Sequence, residues 1–249
     1  MTPIVGHCST IHNLVFLRFF EACDLGALMN RILHYSVFNT PRAAIKPIML
    51  NSTHTPGAAA AQRPASGLQF TVHPNAAPFA VSQQAYLAAH PDPRYSYIAT
   101  GTLVFDVSNQ SCPRLLLLQR AAHDSMPNKW EVPGGGCDDD DESILHAAAR
   151  ELWEEAGLKA FHLGPPVGRP YFLSSRSGKK ICKFVFPVQA EINSEGRMDV
   201  TLDPREHQSF TWASEEEVKA KRIKDIELEF TTTDLECIVL EAFSQFKTG

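Results

Sequence analysis

The six cysteines of this 249-residue chain lack the pairing typical of zinc sites and disulfide-rich domains. No C-x2-C pair occurs, and no His stands near a cysteine at a zinc-like spacing. The cysteines are instead scattered over the chain, at Cys8, Cys23, Cys112, Cys137, Cys182 and Cys237. Because scattered, reduced cysteines are typical of intracellular proteins, we expect a cytoplasmic protein.

Long apolar runs and clusters of basic residues are also missing. No stretch reaches the roughly 18 apolar residues of a transmembrane helix, and the best candidate, residues 13–23, contains Arg18 and Glu21. The formal net charge is −5 and the pI is about 6.1. Domains that bind nucleic acids usually cluster Lys and Arg on one face. We therefore expect neither a nucleic acid nor a membrane as a partner.

The first 68 residues differ in composition from the rest. Residues 51–68 read NSTHTPGAAAAQRPASGL, which is typical of a linker. We expect residues 1–68 to form an N-terminal extension that is disordered or partly helical, and residues 69–249 to form one domain. Arg18, Arg31 and Arg42 leave a mitochondrial transit peptide as the alternative to a cytoplasmic location. The extension could also support a homodimer by exchange of a strand or helix.

Beyond residue 69, the pattern predicts a mixed α/β domain. Alternating and β-branched residues predict strands over 69–72, 95–107, 114–119, 129–132, 180–192 and 210–212. Helices are predicted over 81–89 and 142–156, the second ending at Gly157. Two capping boxes, Ser214 with Glu217 and Thr233 with Glu236, predict two further helices. The last helix should bury Leu235, Ile238, Val239, Ala242, Phe243 and Phe246.

One motif within this domain is typical of a chemical site. It reads G-x5-E-x7-R-E-L-x-E-E-x-G-L, from Gly136 to Leu158. At 100° per residue, Glu151, Glu154 and Glu155 lie within a single arc of about 100° on a helix. Like charges at these spacings destabilise a helix by roughly 0.2–0.5 kcal/mol per pair, so such a face favours binding of a cation. Oxygen ligands suit Mg2+ or Mn2+ better than zinc.

The residues around these glutamates have predicted supporting roles. The glycine run that ends at Gly136 allows the backbone to approach a ligand closely, and one of its carbonyls could complete a metal shell. The four Asp residues at 138–141 are expected to cap the helix N-terminus. For Arg150 we expect an ion pair with a motif glutamate, for which Glu142 is the candidate. Together these features predict a metal-binding acidic face, which is the arrangement that a phosphate-anhydride hydrolase needs.

The segment from Gly136 to Leu158 resembles a complete Nudix box, and the resemblance extends to the preceding residues 130–135. It implies an α/β/α sandwich with a mixed β-sheet and hydrolysis of a nucleoside diphosphate linked to another moiety. It also implies that Glu151 and Glu155 are the principal metal ligands, with Glu154 and the Gly135 carbonyl as further ligands. An additional acid is expected outside the box, and Glu206 is the leading candidate among Glu191, Glu195, Asp199, Asp203 and Glu206.

Substrate identity is less well indicated. Trp130, Phe172 and Phe184 are candidates for stacking on a base, with burial in the core as the alternative. Arg120 and the hairpin SSRSGKK, with Arg176, are candidates for holding phosphates, with a simple charged turn as the alternative. We expect a small nucleotide or nucleotide sugar as the substrate. A nucleotide-sensing or partner-binding domain without turnover is the alternative function.

Overall fold

A computed structural model describes residues 67–175 and 177–248. Residues 1–66, which include most of the predicted N-terminal extension, lie outside the described residues, and so does Arg176. The predictions of a targeting segment and of a dimerising extension concern that part of the chain. Across the described residues, no helix combines the length and the apolar character needed to cross a bilayer.

The described residues form strands and helices in an order that agrees with the predicted mixed α/β domain. The strands are β1 (Thr71–Val72), β2 (Tyr97–Asp106), β3 (Arg114–Arg120), β4 (Trp130–Glu131), β5 (Ala160–Leu163), β6 (Tyr171–Ser174), β7 (Lys180–Ala190), β8 (His207–Ser214), β9 (Arg222–Ile223) and β10 (Ile226–Glu227). The α-helices are α1 (Gln83–Ala89), α2 (Ile144–Ala156), α3 (Glu215–Ala220) and α4 (Thr233–Thr248), and a 3-10 helix spans Pro74–Phe79. The six predicted strands are present, whereas β5, β6 and the β9–β10 pair were not predicted.

Eight of these strands form one mixed sheet, as expected. Its main path runs β1-β5-β7-β2-β3-β4, with β6 added to β7 and β8 added to β3. β2 pairs in parallel with β7 over Tyr97–Val104 and then turns to pair antiparallel with β3 at Phe105 and Asp106. β9 and β10 form a separate antiparallel pair. β2 therefore links the two halves of the sheet.

Helices cover both faces of the sheet and enclose two hydrophobic cores. The four consecutive leucines of β3 show the division, because successive strand residues point to opposite faces. Leu116 and Leu118 pack in the core beneath α2, whereas Leu115 and Leu117 pack in the core beneath α4. The predicted buried face of α4 is confirmed, and its members are Leu235, Ile238, Val239, Ala242, Phe243 and Phe246. The result is the expected α/β/α arrangement.

The helix boundaries show which polar residues act as caps. The capping box of Ser214 and Glu217 is present, but the predicted box at Thr233 is wrong. There the N-terminal cap is Thr232, whose Oγ1 accepts a hydrogen bond from the Leu235 amide at 3.1 Å. Ser143 caps α2 by accepting from the His146 amide at 3.2 Å. α2 therefore begins two residues later than predicted.

Candidate active site

The glycine loop between β4 and α2 runs beside β2 and is fixed to it by backbone hydrogen bonds. The Thr100 amide donates to the Gly135 carbonyl at 2.8 Å, and the Thr102 amide donates to the Pro133 carbonyl at 2.8 Å. In the opposite direction, from the loop to β2, the Cys137 amide donates a hydrogen bond to the Ile98 carbonyl at 3.0 Å. The loop is therefore held by the backbone of the central strand rather than by its own side chains.

One position of this loop accepts only glycine, and at a second a side chain would displace the Glu151 carboxylate. Gly134 has φ +150°, and a Cβ there would lie 2.2 Å from the Thr100 carbonyl oxygen. A Cβ on Gly135 would lie 2.7 Å from Oε1 of Glu151. These are closer approaches than any side chain allows, so the glycines let the loop backbone pack directly against the acidic face of α2.

Arg150 joins α2 to this loop through a network of hydrogen bonds. Its guanidinium donates to both carboxylate oxygens of Asp141, at 2.9 Å each, and to the Gly136 carbonyl at 2.8 Å. It also donates to Glu151 at 2.8 Å and to Glu154 at 2.9 Å. Because Arg150 is buried and Asp141 is nearly so, these charge-assisted bonds fix the loop on the helix.

Arg150 pairs with motif glutamates as expected, but these are Glu151 and Glu154 rather than the candidate Glu142. The side chain of Glu142 is 81% exposed and lies beside His146, with an Nε2–Oε2 distance of 3.4 Å. Asp141, one residue earlier, occupies the place beside Arg150 that the motif assigns to Glu142. The prediction that the Asp run caps α2 is also wrong, since Ser143 is the cap and Asp141 accepts from the Asp138 amide at 2.8 Å. The loop thus presents Asp141 inward and leaves Glu142 exposed.

The three predicted ligand glutamates share the face of α2 that meets the glycine loop. Glu155 is buried, and its Oε2 accepts a hydrogen bond from the Gly134 amide at 2.7 Å. Burial, with the neighbouring Glu151 and Glu131, raises the pKa of Glu155 well above its usual range. Burial also raises the pKa of Glu151 to about 7, against the opposing effect of Arg150. The side chain of Glu154 is 38% exposed and faces outward.

Glu206 approaches the same face from the loop that leads into β8. Its backbone carbonyl accepts from the Ala121 amide at 2.8 Å, while its side chain is exposed. Its charge contributes to the raised pKa values of both Glu151 and Glu155. Among the other candidate acids, Asp203 is bound by Arg205. Glu206 is thus the candidate acid that the structure brings near the acidic face of α2.

The sequence reasoning missed a buried polar cluster on the other side of these glutamates. It contains Lys183, Glu131 and His207, each less than 10% exposed, with Tyr171 and Arg120 beside them. Burial alone would lower the pKa of Lys183, but Tyr171, Glu131 and the α2 glutamates raise it above its usual value. A lysine within the apolar run of β7 was the signal that could have revealed this cluster.

Most of the side chains predicted to bind substrate are buried or contact other parts of the protein instead. Trp130 is 1% exposed, and its Nε1 donates to the Glu227 carbonyl at 3.1 Å. Phe184 is buried, with its ring centroid 4.9 Å from that of Phe79. The predictions that these two rings stack on a base are therefore wrong. Phe172 remains partly exposed, beneath the guanidinium of Arg94 at 4.5 Å.

Arg120, proposed as a phosphate ligand, is engaged within the protein. It forms ion pairs with Glu131 and Asp124, and its Nε donates to the Ser125 carbonyl at 2.6 Å. Arg176 lies outside the described residues. Its hairpin is present, because β6 pairs antiparallel with β7 from Ser174 and Lys180 onward. The strand pairing is compatible with both a charged turn and a phosphate-binding loop, so the role of SSRSGKK stays a prediction.

The donor chemistry of α2 fits a divalent cation. In the described part of the chain, no three His, Cys, Asp or Glu side chains are already grouped as a metal site. Arg150 accounts for this, because it draws Glu151 and Glu154 toward itself. Burial first, and the neighbouring carboxylates second, raise the pKa values of Glu151 and Glu155, and a hard cation would favour their ionised forms. The Gly135 carbonyl points to β2 but retains a second lone pair, so its role as a ligand stays a prediction.

Comparison with solved structures returns proteins of related description. The MutT protein from Methanosarcina mazei Go1 is 24% identical, covering 63% of this chain and 96% of that chain, with a TM-score of 0.43. A C. elegans Ap4A hydrolase binary complex is also 24% identical, with coverages of 62% and 99% and a TM-score of 0.43. The Nudix domain of Shewanella oneidensis NrtR, complexed with ADP ribose, is 18% identical, with coverages of 65% and 97% and a TM-score of 0.42.

Comparison by sequence gives the family assignment. No curated protein matches the chain. The family model described as NUDIX domain matches residues 97–233, which is more than half of the 249 residues. The match begins at β2 and includes the glycine loop, α2 and the Glu206 loop. The chain therefore belongs to the Nudix family.

Proposed function

We propose that this protein hydrolyses a phosphate anhydride in a small nucleotide or nucleotide sugar, with Mg2+ or Mn2+ as the cofactor. Members of the family generally act on pyrophosphate bonds and generally use divalent metals. The observation that carries the proposal is the packing of Glu151 and Glu155 against the glycine loop, with raised pKa values, beside Glu154. A buried face of repelling carboxylates costs stability and is suited to a cation that bridges it to phosphate oxygens.

Each residue has a role that follows from its position. Glu151, Glu154 and Glu155 would hold the metal, which when bound neutralises phosphate charge and lowers the pKa of water. Arg150 contacts Glu151 and Glu154 directly and so sets their orientation. Glu206, whose carboxylate has no hydrogen bond or ion pair within the described residues, would accept the proton of the attacking water.

Assays of purified protein with Mg2+ or Mn2+ test this proposal. A panel of nucleoside triphosphates, ADP-ribose, dinucleoside polyphosphates and coenzyme A is incubated with the protein, and the products are separated by chromatography. We expect hydrolysis of at least one compound by the wild type, and loss of that hydrolysis in the double variant Glu154→Gln/Glu155→Gln. Glu142→Gln is the matched control, because Glu142 is exposed and should leave turnover unchanged.

The result that contradicts the proposal is equally specific. If the wild type binds Mn2+ and a nucleotide but hydrolyses none of the panel, the nucleotide-sensing alternative is favoured. If the double variant hydrolyses the substrate as fast as the wild type, the α2 glutamates do not form the active site. Circular dichroism of both proteins establishes that folding is unchanged.

A further inference from the structure

The loop that carries Glu206 is fixed to the protein from three sides. At the end of α2, the Thr201 amide donates to the Ala156 carbonyl at 2.8 Å, and the Asp203 amide donates to the Glu155 carbonyl at 3.3 Å. At the end of β3, the Ala121 amide donates to the Glu206 carbonyl at 2.8 Å. These bonds place the backbone of the loop, but they do not involve the side chain that follows Glu206.

The third attachment is a buried side-chain bond between His207 and Glu131. Nε2 of His207 lies 3.1 Å from Oε1 of Glu131, and their side chains are 1% and 6% exposed. Nδ1 of His207 is buried with no hydrogen-bond partner in the described part of the chain. The Nε2 bond is therefore the polar contact that orients the imidazole ring. His207 directly follows Glu206, so a rotation of this residue would displace Glu206.

Glu131 is itself held in place and stands at the start of the glycine loop. Arg120 pairs with the same Oε1 atom; burial alone would raise the pKa of Glu131, but the hydrogen bond to His207 and the charges of Lys183 and Arg120 lower it below its usual value. Three residues further along the chain, the Gly134 amide binds Glu155. The Glu131–His207 bond thus connects the segment that packs on the metal-ligand glutamates to the segment that carries Glu206.

We propose that His207 and Glu131 are a pair of positioning residues, which hold Glu206 at a fixed distance from the glutamates of α2. This inference rests on the proposed function, because it assigns Glu206 as the acid that works with those glutamates. Catalysis requires such groups to be placed closely, and a displacement of about 1 Å can cost on the order of 10²-fold in rate. Neither His207 nor Glu131 needs to contact the substrate in this role.

Two amide variants that differ in reach provide the test. In His207→Gln the amide nitrogen can reach the position of Nε2 and donate to Glu131, whereas in His207→Asn it is too short to do so. We expect His207→Gln to keep kcat within about 3-fold of the wild type. We expect His207→Asn to lower kcat by about 10- to 100-fold with KM changed less than about 2-fold, since a displaced proton acceptor affects the chemical step.

A double-mutant cycle with Glu206→Gln shows whether the effect acts through Glu206. If it does, adding His207→Asn to Glu206→Gln should change kcat less than about 2-fold, because the group being positioned is already inactive. A further loss of 10-fold or more in that background would overturn the inference. So would equal kcat values for the Gln and Asn variants in the otherwise wild-type protein.

Amide hydrogen exchange of the metal-free protein separates this inference from the proposed function. We expect faster exchange at the Glu206 and His207 amides in His207→Asn than in His207→Gln, with unchanged exchange in β2. This result would support the positioning pair even if the wild type hydrolysed no compound of the panel. Identical exchange in the two variants would refute it, whatever the activity.

Discussion

The ionisation of Glu151 leads to an unusual pH dependence of stability. Its pKa is raised from 4.5 to about 7 in the folded protein. Between these values the folded state binds a proton that the unfolded state has released, so the free energy of unfolding falls as the pH rises. For one group with this shift, linkage gives a loss of about 2.5 kcal/mol between pH 5 and pH 8. Glu155, whose pKa is also raised, should add to the loss in the same direction.

Urea denaturation of the metal-free protein at pH 5, 6, 7 and 8 measures this dependence. Glu151→Gln is the control, because its amide does not ionise. Between pH 5 and pH 8 the free energy of unfolding of this variant should fall by about 2.5 kcal/mol less than that of the wild type. Saturating Mg2+ should reduce the dependence in the wild type, since a bound cation favours the ionised carboxylates. If the wild type and Glu151→Gln lose stability in parallel, the carboxylate is not ionising as its burial indicates.

Two further predictions concern the loop and the core. Asp141→Asn should lower the free energy of unfolding by about 2 kcal/mol, because it removes one charged partner of the buried Arg150. Glu142→Gln should change the free energy of unfolding by less than about 0.5 kcal/mol. Equal effects of the two variants in urea denaturation would contradict the assignment of Asp141 as the inward residue. Leu117→Ala should lower the free energy of unfolding by about 3 kcal/mol, because Leu117 is fully buried in the core beneath α4. A thermal unfolding midpoint equal to that of the wild type would refute this placement of Leu117.

The sequence predicted the elements whose signals are local. The long strands and α2 follow from periodicity, and Gly157 ends α2 with φ +67°, as a residue of left-handed conformation should. The short strands of the β9–β10 pair were missed because two residues give no periodicity. The start of α2 was misplaced because Asp, Glu and Ser in succession all favour a helix N-terminus, and only the geometry shows that Ser143 is the cap.

The candidate site was predictable in part for the same reason. Glu151, Glu154 and Glu155 lie on one helix, so their common face follows from spacing alone. Whether Asp141 or Glu142 pairs with Arg150 depends on the conformation of the loop around Arg150. Sequence spacing does not determine that conformation. The cluster of Lys183, Glu131 and His207 brings together three separate strands, and the sequence marks only the lysine within the apolar run of β7, not the residues that it meets.

The backbone pairing of the glycine loop with β2 has a consequence for how this enzyme family can diversify. The bonds from the Thr100 and Thr102 amides to the loop involve main-chain atoms, so they survive most changes of side chain along β2, and the Thr102 hydroxyl adds a side-chain bond to the Pro133 carbonyl at 3.0 Å. The loop and the acidic face of α2 can then stay in place while neighbouring side chains are exchanged for others of different size and polarity. Libraries that vary the exposed parts of this region could therefore search for substrates without disturbing the groups that we propose for the hydrolysis.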